Sequence, residues 1–444
     1  SHPVAHRPAE PPAEFAGGNP CPAMSRHPTP THEPHPVQPP APPAGLSALL
    51  RPWDQACLRY TARYLQGVPI RLIFLDDLIA DCAPQPHLGL LRIRDRGTLL
   101  RLMWNPDLGF GEGYSDGRIG VEGDLVAMLE SVTRQLWVRP WATGPVSLLK
   151  RVLSSNPIGR SWRNVHQHYD LGNDFYRRWL DPEMVYTCAY YARPGMTLEE
   201  AQTAKNTHVA RKLALRPGEQ VYEAGCGWGS LALHLARECG VRVRAWNISH
   251  EQVVWARERA AREGLADRVE FIEDDYRHID GTCDAFVSIG MLEHVGRLQH
   301  AQLGAVMDRC LHPAHGRGLL HFIGRNAPAP TSPWIARYIF PGAYIPSLQE
   351  AVGGVLEPSG FSVLDVENLR LHYAQTLADW LDRFERASRS IEERFGARFV
   401  RMWRLYLAEA QAGFRAGTLQ LFQVTFARPH HNALPPTRAG LYRE

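Results

Sequence analysis

The chain has 444 residues, of which 44% are hydrophobic and 21% are charged, and its formal net charge is +3. This length is enough for two or three globular domains, and so small a net charge gives no support for nucleic-acid binding. No apolar run reaches the roughly 18 residues of a transmembrane helix, so any membrane contact should be peripheral. The eight cysteines form no CxxC pair. The usual structural zinc pattern is therefore absent, no metal is predicted, and a reducing, cytoplasmic setting is favoured.

The first 45 residues contain 14 of the 35 prolines and almost no large apolar residues. Such a segment cannot bury enough apolar surface to offset the entropy lost on ordering. We therefore predict that residues 1–45 are a disordered, proline-rich segment.

Residues 46–150 are predicted to form a small α+β domain. Apolar positions Trp53, Ala56, Cys57, Tyr60 and Tyr64 share one face of a helix, and short apolar runs punctuated by Gly and Pro indicate strands. The predicted elements are a helix over 53–65, strands over 68–75, 88–93 and 98–104, a glycine-rich turn over 109–114, and a helix capped by Asp124.

Beyond a Pro- and Gly-interrupted linker over 140–165, strand and helix patterns alternate. Helical stretches separate apolar runs at 221–224, 241–247, 269–272, 285–289 and 318–323. This rhythm predicts an α/β fold with a doubly wound, mostly parallel sheet. Residues 429–444 are predicted to be a C-terminal tail.

A glycine-rich loop, Gly225-Cys226-Gly227-Trp228-Gly229, separates the first of these strands from a helix. Glycine allows the positive φ angles of a tight turn, and sheets of this kind bind ligands beyond the carboxyl ends of their strands. Glu223, at the end of the strand, could face the amino group of a methionine moiety. The loop therefore predicts an S-adenosylmethionine site.

A nicotinamide dinucleotide fold is the competing interpretation of the loop. Its fingerprint is GxGxxG, usually with an acid at the end of the second strand, whereas this chain has GxGxG, and Asn247, Ser249 and Gln252 near that strand end. After the third strand, Asp275 and Tyr276 offer a carboxylate and an aromatic face to an adenine ring. These features favour a methyltransferase over a dehydrogenase.

Several motifs occur together in one order along the chain. They lie at 168–176 (HYDLGNDFY), 186–191 (YTCAYY), 225–229 (GCGWG), 290–296 (GMLEHVG) and 320–324 (LHFIG). In these motifs the chain resembles the cyclopropane-fatty-acyl-phospholipid synthase family, continuously from about residue 160 to 428 and more weakly over 46–150. The resemblance implies a catalytic domain over 151–428 and a lipid-associated domain over 46–150.

The resemblance implies an enzyme that adds a methylene group across a cis double bond of a phospholipid acyl chain. S-adenosylmethionine is the donor, and a bound bicarbonate ion is the base. The positions matching the bicarbonate site are Cys188, Glu293, His321, Ile323 and Tyr373, of which Cys188 and Ile323 act mainly through backbone groups. The predicted cofactor-binding positions are Tyr186, Thr187, Glu223, Gly225, Cys226, Gly227, Trp228, Gly229, Asn247, Ser249, Gln252, Asp275 and Tyr276.

The chain departs from the family at three positions. Glu223 stands where Asp is usual, Asn247 stands where Thr is usual, and Ala410 occupies the position of a common Cys, which excludes covalent catalysis there. Two alternatives stay open: a fatty-acyl methyltransferase that makes a methyl- or methylene-branched chain, and a lipid-binding protein without chemistry. Intact Glu293 and His321 argue against the second alternative.

The expected partner is a membrane phospholipid with an unsaturated acyl chain. Arg accounts for 46 of the 49 Lys and Arg residues, the other three being Lys150, Lys205 and Lys212. Arg can grip phosphate with two parallel hydrogen bonds. Together with the apolar segment 334–346, this predicts peripheral contact with the inner face of the cell membrane. The oligomeric state is left open between a monomer and a homodimer.

Overall fold

A computed structural model of the chain describes residues 44–137 and 171–442. The predictions for the proline-rich segment, except its last two residues, and for the linker over 140–165 lie outside the described residues, as does the domain boundary at residue 150. The division into two domains therefore stays a prediction.

A four-stranded sheet and four helices form the N-terminal part. The strands are β1 (Ile70–Phe74), β2 (Leu78–Asp81), β3 (Gly89–Ile93) and β4 (Ile119–Gly123), in the order β2-β1-β3-β4, and the helices are α1 (Ala44–Tyr64), α2 (Arg96–Trp104), α3 (Pro106–Ser115) and α4 (Leu125–Trp137). The predicted strands at 68–75 and 88–93 are confirmed as β1 and β3. The predicted cap is also confirmed, because Asp124 Oδ1 accepts a hydrogen bond from the Ala127 N–H at 3.0 Å.

The predicted strand over 98–104 is wrong, because these residues lie in α2. Asp95 precedes the helix, and its side chain accepts bonds from the Thr98 N–H at 2.8 Å and the Thr98 hydroxyl at 2.7 Å. Leu99 and Leu102, three residues apart, are buried on one face. An N-cap followed by helical spacing was the signal in the sequence.

The predicted glycine-rich turn over 109–114 is also wrong, because its glycines lie inside α3. Asn105 caps this helix by accepting from the Leu108 N–H at 3.1 Å, and Pro106 occupies its first turn. A Cβ atom placed on Gly111 would lie 2.2 Å from Trp334 Cδ1. The glycines therefore serve close packing against neighbouring elements rather than a change of chain direction.

The helix predicted over 53–65 is confirmed by α1, but its five apolar positions do not share one environment. Cys57 is buried, whereas Trp53 and Tyr60 are 61% and 57% exposed. The buried face instead includes Asp54, whose carboxylate accepts two hydrogen bonds from Arg96 Nε and one from Arg96 Nη2, at 2.8 to 3.1 Å. An ion pair thus fixes α1 against α2.

A seven-stranded sheet forms the larger part. Its strands are β5 (Gln220–Ala224), β6 (Arg242–Asn247), β7 (Val269–Glu273), β8 (Ala285–Ile289), β9 (Arg317–Gly324), β10 (Ser362–Asn368) and β11 (Gln420–Ala427), in the order β10-β11-β9-β8-β5-β6-β7. The first five in sequence run parallel, whereas β11 is antiparallel to both β9 and β10. The predicted α/β fold and all five predicted strands are confirmed, and β10 and β11 are additions.

Helices surround this sheet. The described ones, numbered onward from α4, are α5 (Asn173–Tyr176), α6 (Leu198–Lys212), α7 (Ser230–Cys239), α8 (His250–Arg262), α9 (Leu292–Val295), α10 (His300–Cys310), α11 (Pro333–Tyr338), α12 (Leu348–Ala351), α13 (Arg370–Phe395) and α14 (Ala397–Ala416). The long helix α14 packs on α13 and also on α3 and α4, which joins the two parts. Within residues 44–137 and 171–442, no helix is long and apolar enough to cross a membrane.

Candidate active site

The glycine loop begins where β5 ends, and its three glycines all have positive φ: 84° at Gly225, 54° at Gly227 and 85° at Gly229. A Cβ on Gly229 would lie 2.6 Å from the Phe271 ring, so this glycine permits close packing. A Cβ on Gly227 would meet no atom within 4 Å. The loop therefore presents bare backbone to open space, as a cradle for a ligand requires.

That open space belongs to a cavity of about 1420 Å³ that extends from the glycine loop to the N-terminal helices. Two predicted cofactor positions, Gly229 and Ser249, do not line it. The predicted positions that do are Tyr186, Thr187, Glu223, Gly225, Cys226, Gly227, Trp228, Asn247, Gln252, Asp275 and Tyr276. The structure thus gathers residues from four separate stretches of the chain around one space.

Glu223 lies at the end of β5 with its side chain buried in the cavity wall. Its Oε2 has no hydrogen-bond partner among the described residues. Burial raises the pKa of the carboxyl to about 7, against the opposing effects of Lys205 and of the Ala232 N–H. An orphaned carboxylate oxygen beside the loop fits the ammonium group of a methionine moiety.

Asn247 at the end of β6 organises the next part of the wall. Its Nδ2 donates to the Gly227 carbonyl at 3.1 Å and to Gln252 Oε1 at 2.7 Å. Its Oδ1 accepts from the Ser249 N–H at 3.3 Å. Ser249 therefore acts behind the wall, by supporting Asn247, while Gln252 faces the cavity.

Asp275 and Tyr276 follow β7 and line the cavity. The Asp275 side chain accepts from the Arg277 N–H at 3.0 Å and forms an ion pair with Arg277 Nη1 at 3.3 Å. The Tyr276 hydroxyl has no partner among the described residues. A carboxylate and an aromatic ring therefore stand together beyond the third strand, as the sequence predicts for an adenine contact.

Glu293 of α9 lines the same cavity, beyond the end of β8. Its Oε1 accepts from the Ile323 N–H at 2.6 Å, whereas its Oε2 is buried without a partner in the described chain. Burial raises the pKa of this carboxyl to about 7. The Ile323 N–H is thus already used by Glu293, and it is the free oxygen of Glu293 that can meet a ligand.

His321 and Cys188 are buried but do not line the cavity. His321 Nδ1 lies 3.1 Å from Gln423 Nε2, and Nε2 of the ring has no described partner. Burial lowers the pKa of His321 well below its ordinary value, so the ring is neutral. Burial likewise raises the pKa of the Cys188 thiol, which donates to the Ala189 carbonyl.

Aromatic side chains surround the remaining part of the site. Tyr373 lines the cavity and packs against Phe414, with ring centroids 4.6 Å apart. The hydroxyls of Tyr186 and Tyr406 lie 2.8 Å apart, and Phe340 packs edge-on against Tyr406. Because these rings line the cavity, they can stabilise a cation that develops there.

Charged groups in the cavity wall that were not predicted from the sequence include Asp107, Lys205, Arg325 and Glu409, of which Lys205 lies on α6 and Glu409 on α14. Lys205 did carry a signal, since lysine is scarce in this chain and α6 places this one among buried residues. Glu409 carried none, because it occurs in a helical pattern whose orientation depends on packing against α3 and α4.

A doubly wound sheet with a glycine loop after its central strand, and an orphaned acid beside that loop, defines a methyltransferase that uses S-adenosylmethionine. A family model described as mycolic acid cyclopropane synthetase matches residues 158–424, which is more than half of the chain. The chain therefore belongs to this family, and the resemblance given by its motifs is confirmed.

Individual relatives agree with this assignment. The chain is 34% identical to a probable fatty acid methyltransferase of Pseudomonas putida, over 85% of this chain and 97% of the relative. It is 36% identical to the cyclopropane-fatty-acyl-phospholipid synthase of Escherichia coli K12, over 78% and 90%. The crystal structure of a mycolic acid cyclopropane synthase complexed with SAH and CTAB superimposes with a TM-score of 0.57 at 31% identity, covering 60% of this chain and 98% of that one.

Proposed function

We propose that the protein transfers a methylene group from S-adenosylmethionine to the cis double bond of an unsaturated fatty-acyl chain in a phospholipid, forming a cyclopropane ring. The observation that carries this proposal is the shape of the cavity. At about 1420 Å³ it exceeds a typical small-molecule pocket, and it continues past the cofactor loop into the N-terminal part. Its far wall is made largely by apolar side chains: Leu65, Ile70, Leu91, Leu102, Phe110, Met128, Leu129 and Val132.

Such a wall suits a hydrocarbon chain rather than a polar acceptor, because it offers few hydrogen-bond partners. A cofactor bound at the glycine loop and a chain lying along the apolar wall would meet near Glu293 and Tyr373. This placement holds the alkene away from water, which a weak nucleophile needs if it is to attack a methyl group.

When bound, S-adenosylmethionine supplies an electrophilic methyl group. One alkene carbon bonds to the methyl carbon as the methyl–sulfur bond breaks, and the other alkene carbon becomes cationic. The ring faces of Tyr186, Tyr406 and Phe340 stabilise that charge without trapping it covalently. Loss of one proton from the new methyl group then releases the electron pair that closes the ring, so the net addition is CH2.

The proton needs a base, and Glu293 and His321 each keep one buried polar atom without a described partner. Of these two residues only Glu293 lines the cavity, and its free oxygen together with the Tyr373 side chain suits an ion that carries both a hydroxyl donor and acceptor oxygens. Bicarbonate is such an ion and, when bound, supplies the base. We assign Glu293 the role of holding its protonated oxygen, because Glu293 Oε2 is buried in the cavity wall without a partner among the described residues.

Analysis of acyl chains by mass spectrometry tests the proposal. The protein would be expressed in cells that contain unsaturated phospholipids, with Glu293→Gln as the inactive control. We expect chains heavier by one CH2 group that resist catalytic hydrogenation. Unchanged chain masses in cells with ample cofactor would refute any transfer to lipid.

A fatty-acyl methyltransferase is the second candidate, and the relative from Pseudomonas putida favours it through its name and its nearly complete coverage. Methyl transfer and the cation are common to both reactions, but here the proton leaves a neighbouring chain carbon and no ring forms. Heavier chains that still take up hydrogen would identify this reaction.

We also propose that the N-terminal helices meet the lipid surface. The segment 334–346, which the sequence suggested for this role, turns its large side chains inward: Trp334 and Ile339 are each 1% exposed. Trp53 on α1 is 61% exposed, and Trp104 at the end of α2 is 93% exposed. Aromatic side chains of this kind favour the headgroup region of a bilayer.

Vesicle sedimentation tests this contact. Replacing Trp53 and Trp104 with Ser should weaken binding to anionic vesicles several-fold, while the buried Trp334 is left in place. Binding that does not respond to these changes, to salt or to lipid charge would count against contact through this surface.

A further inference from the structure

Lys205 on α6 lines the part of the cavity beside the glycine loop, which we call the cofactor end. Its side chain is buried and lines the same space as Thr187, Glu223 and the glycine loop. Its Nζ donates to the Thr187 hydroxyl at 3.4 Å, a long contact with a neutral group. In the described chain it forms no ion pair within 4.0 Å, although the field of Glu223 acts on it. A buried ammonium is thus left without a close counter-charge.

Glu223 is in the opposite position. Its carboxylate is buried and lines the same end of the cavity, and Oε2 lacks a described hydrogen-bond partner. The other acid near Lys205 is Asp181, whose oxygens already accept from the N–H groups of Glu183 and Val185 at 3.1 and 2.9 Å. One cationic and one anionic side chain therefore line the same part of the cavity without a direct ion pair, and each can accept a further charged partner.

A second lysine on the same helix shows how a buried ammonium is paired with acids in this protein. Lys212 Nζ lies 2.7 Å from Glu367 Oε2 and 3.5 Å from Asp365 Oδ2. Isolated buried charges are costly, so they are normally paired. Lys205 and Glu223 are not paired in this way, so a ligand that carries both an anionic and a cationic group would satisfy both side chains.

We propose that Lys205 binds the α-carboxylate of the cofactor's methionine moiety, with the Thr187 hydroxyl beside it, while Glu223 binds the α-ammonium group. An amino acid carries these two charges on neighbouring atoms, which suits a cation and an anion on either side of one pocket end. The inference rests on the methyltransferase assignment and is independent of the lipid product.

Binding of S-adenosylhomocysteine and of its decarboxylated analogue, S-adenosyl-3-thiopropylamine, tests this role. The analogue keeps the adenosine, the sulfur and the amine but lacks the carboxylate. Isothermal titration would compare the wild type, Lys205→Met and Lys205→Arg, with Lys212→Met as the matched control. No lipid is present, so the result does not depend on whether a ring or a branch is formed.

We expect the wild type to bind S-adenosylhomocysteine about tenfold to a hundredfold more tightly than the analogue, the usual range for a charged hydrogen bond. Lys205→Met should remove this preference by weakening only S-adenosylhomocysteine, and Lys205→Arg should restore part of it. Lys212→Met should keep the preference, whatever it does to stability.

A purely structural role for Lys205 predicts equal weakening of both ligands by Lys205→Met, and that outcome would overturn the proposal. Equal affinity of the wild type for the two ligands would overturn it as well. This second measurement needs no variant, so the proposal can be refuted even if Lys205→Met does not fold.

Discussion

The two ends of the cavity are built in different ways. The cofactor end is polar, and its wall comes from short segments at the carboxyl ends of parallel strands, including Glu223, Asn247 and Asp275. The other end, which would hold the acyl chain and is called the chain end, is mostly apolar. Helices α3 and α4 supply much of its wall through side chains such as Phe110 and Met128, and Leu65 lies just after α1.

Because the two ends differ in polarity, they should recognise different kinds of ligand. Charged and hydrogen-bonding groups at fixed strand ends select one polar molecule, whereas an apolar wall selects by volume and length. Changes at one end should therefore leave the other end's affinity intact. A variant that weakens the binding of both the cofactor and the acyl chain to the same degree would contradict this division of roles.

The largest effect is expected at the point where the two ends meet. Glu293→Gln replaces the buried carboxylate that accepts from the Ile323 N–H and keeps one free oxygen. We expect methyl transfer to unsaturated phospholipid vesicles to fall by about 10²–10³-fold, the usual range for losing a proton-transfer or charge-stabilising group. Incorporation of labelled methyl groups measures the rate.

The affinity of this variant for S-adenosylhomocysteine should change by less than threefold or so, because Glu293 does not belong to the cofactor strands. Glu258→Gln, at an exposed site on α8, is the control. A Glu293→Gln enzyme that retains most of its activity would remove Glu293 from the proposed machinery.

The second effect concerns the packing that forms the chain end. A methyl group on Gly111 would overlap the Trp334 ring, so Gly111→Ala forces α3 and α11 apart. We expect the free energy of unfolding to fall by about 1–3 kcal/mol, as for other overpacked sites. Gly120→Ala is the matched control, since its Cβ would meet no atom closer than 3.6 Å. Equal stabilities from chemical denaturation would contradict the packing role of Gly111.

The third effect should change the use of the lipid substrate and leave cofactor binding unaltered. Val132→Trp on α4 adds a large ring to the apolar wall and shortens the space for a chain. We expect kcat/KM for vesicles with 18-carbon chains to fall by roughly tenfold, or about 1.4 kcal/mol, and less for 16-carbon chains. Affinity for S-adenosylhomocysteine should stay the same. An equal loss of kcat/KM for both chain lengths would show that this wall does not select acyl chains by length.

Sequence reasoning located the cavity-lining residues near the glycine loop better than those of the chain end, and the reason is physical. Turn glycines and strand-end residues act close to their own position in the chain, so Gly225, Gly227 and Asn247 could be assigned from local pattern. The chain end depends on which helices pack together. Gly111 looked like a turn residue because the sequence does not show Trp334 lying against it. The position of Glu409 in the cavity wall could not be predicted from the sequence for the same reason.

Glu409 supplies the smallest predicted effect, and it qualifies the apolar description of the chain end. It lines the cavity, and no hydrogen bond or ion pair joins it to the described residues. Burial, and to a lesser degree the charge of Asp107, raises its pKa from an ordinary 4.5 to about 8. The folded protein therefore binds this proton more tightly than the unfolded chain does.

The free energy of unfolding should consequently fall as pH rises from about 5 to 8, because deprotonation is easier in the unfolded state. Glu409→Gln cannot lose this proton, so its stability should decline less over the same range and exceed that of the wild type at pH 8.5 by about 1 kcal/mol. Urea denaturation at pH 5 and 8.5 measures the difference, with Glu258→Gln as the exposed control. If the free energy of unfolding depends on pH in the same way for the wild type and Glu409→Gln, the Glu409 carboxyl is ionised in the folded protein. The apolar wall would then contain a negative charge next to the bound acyl chain.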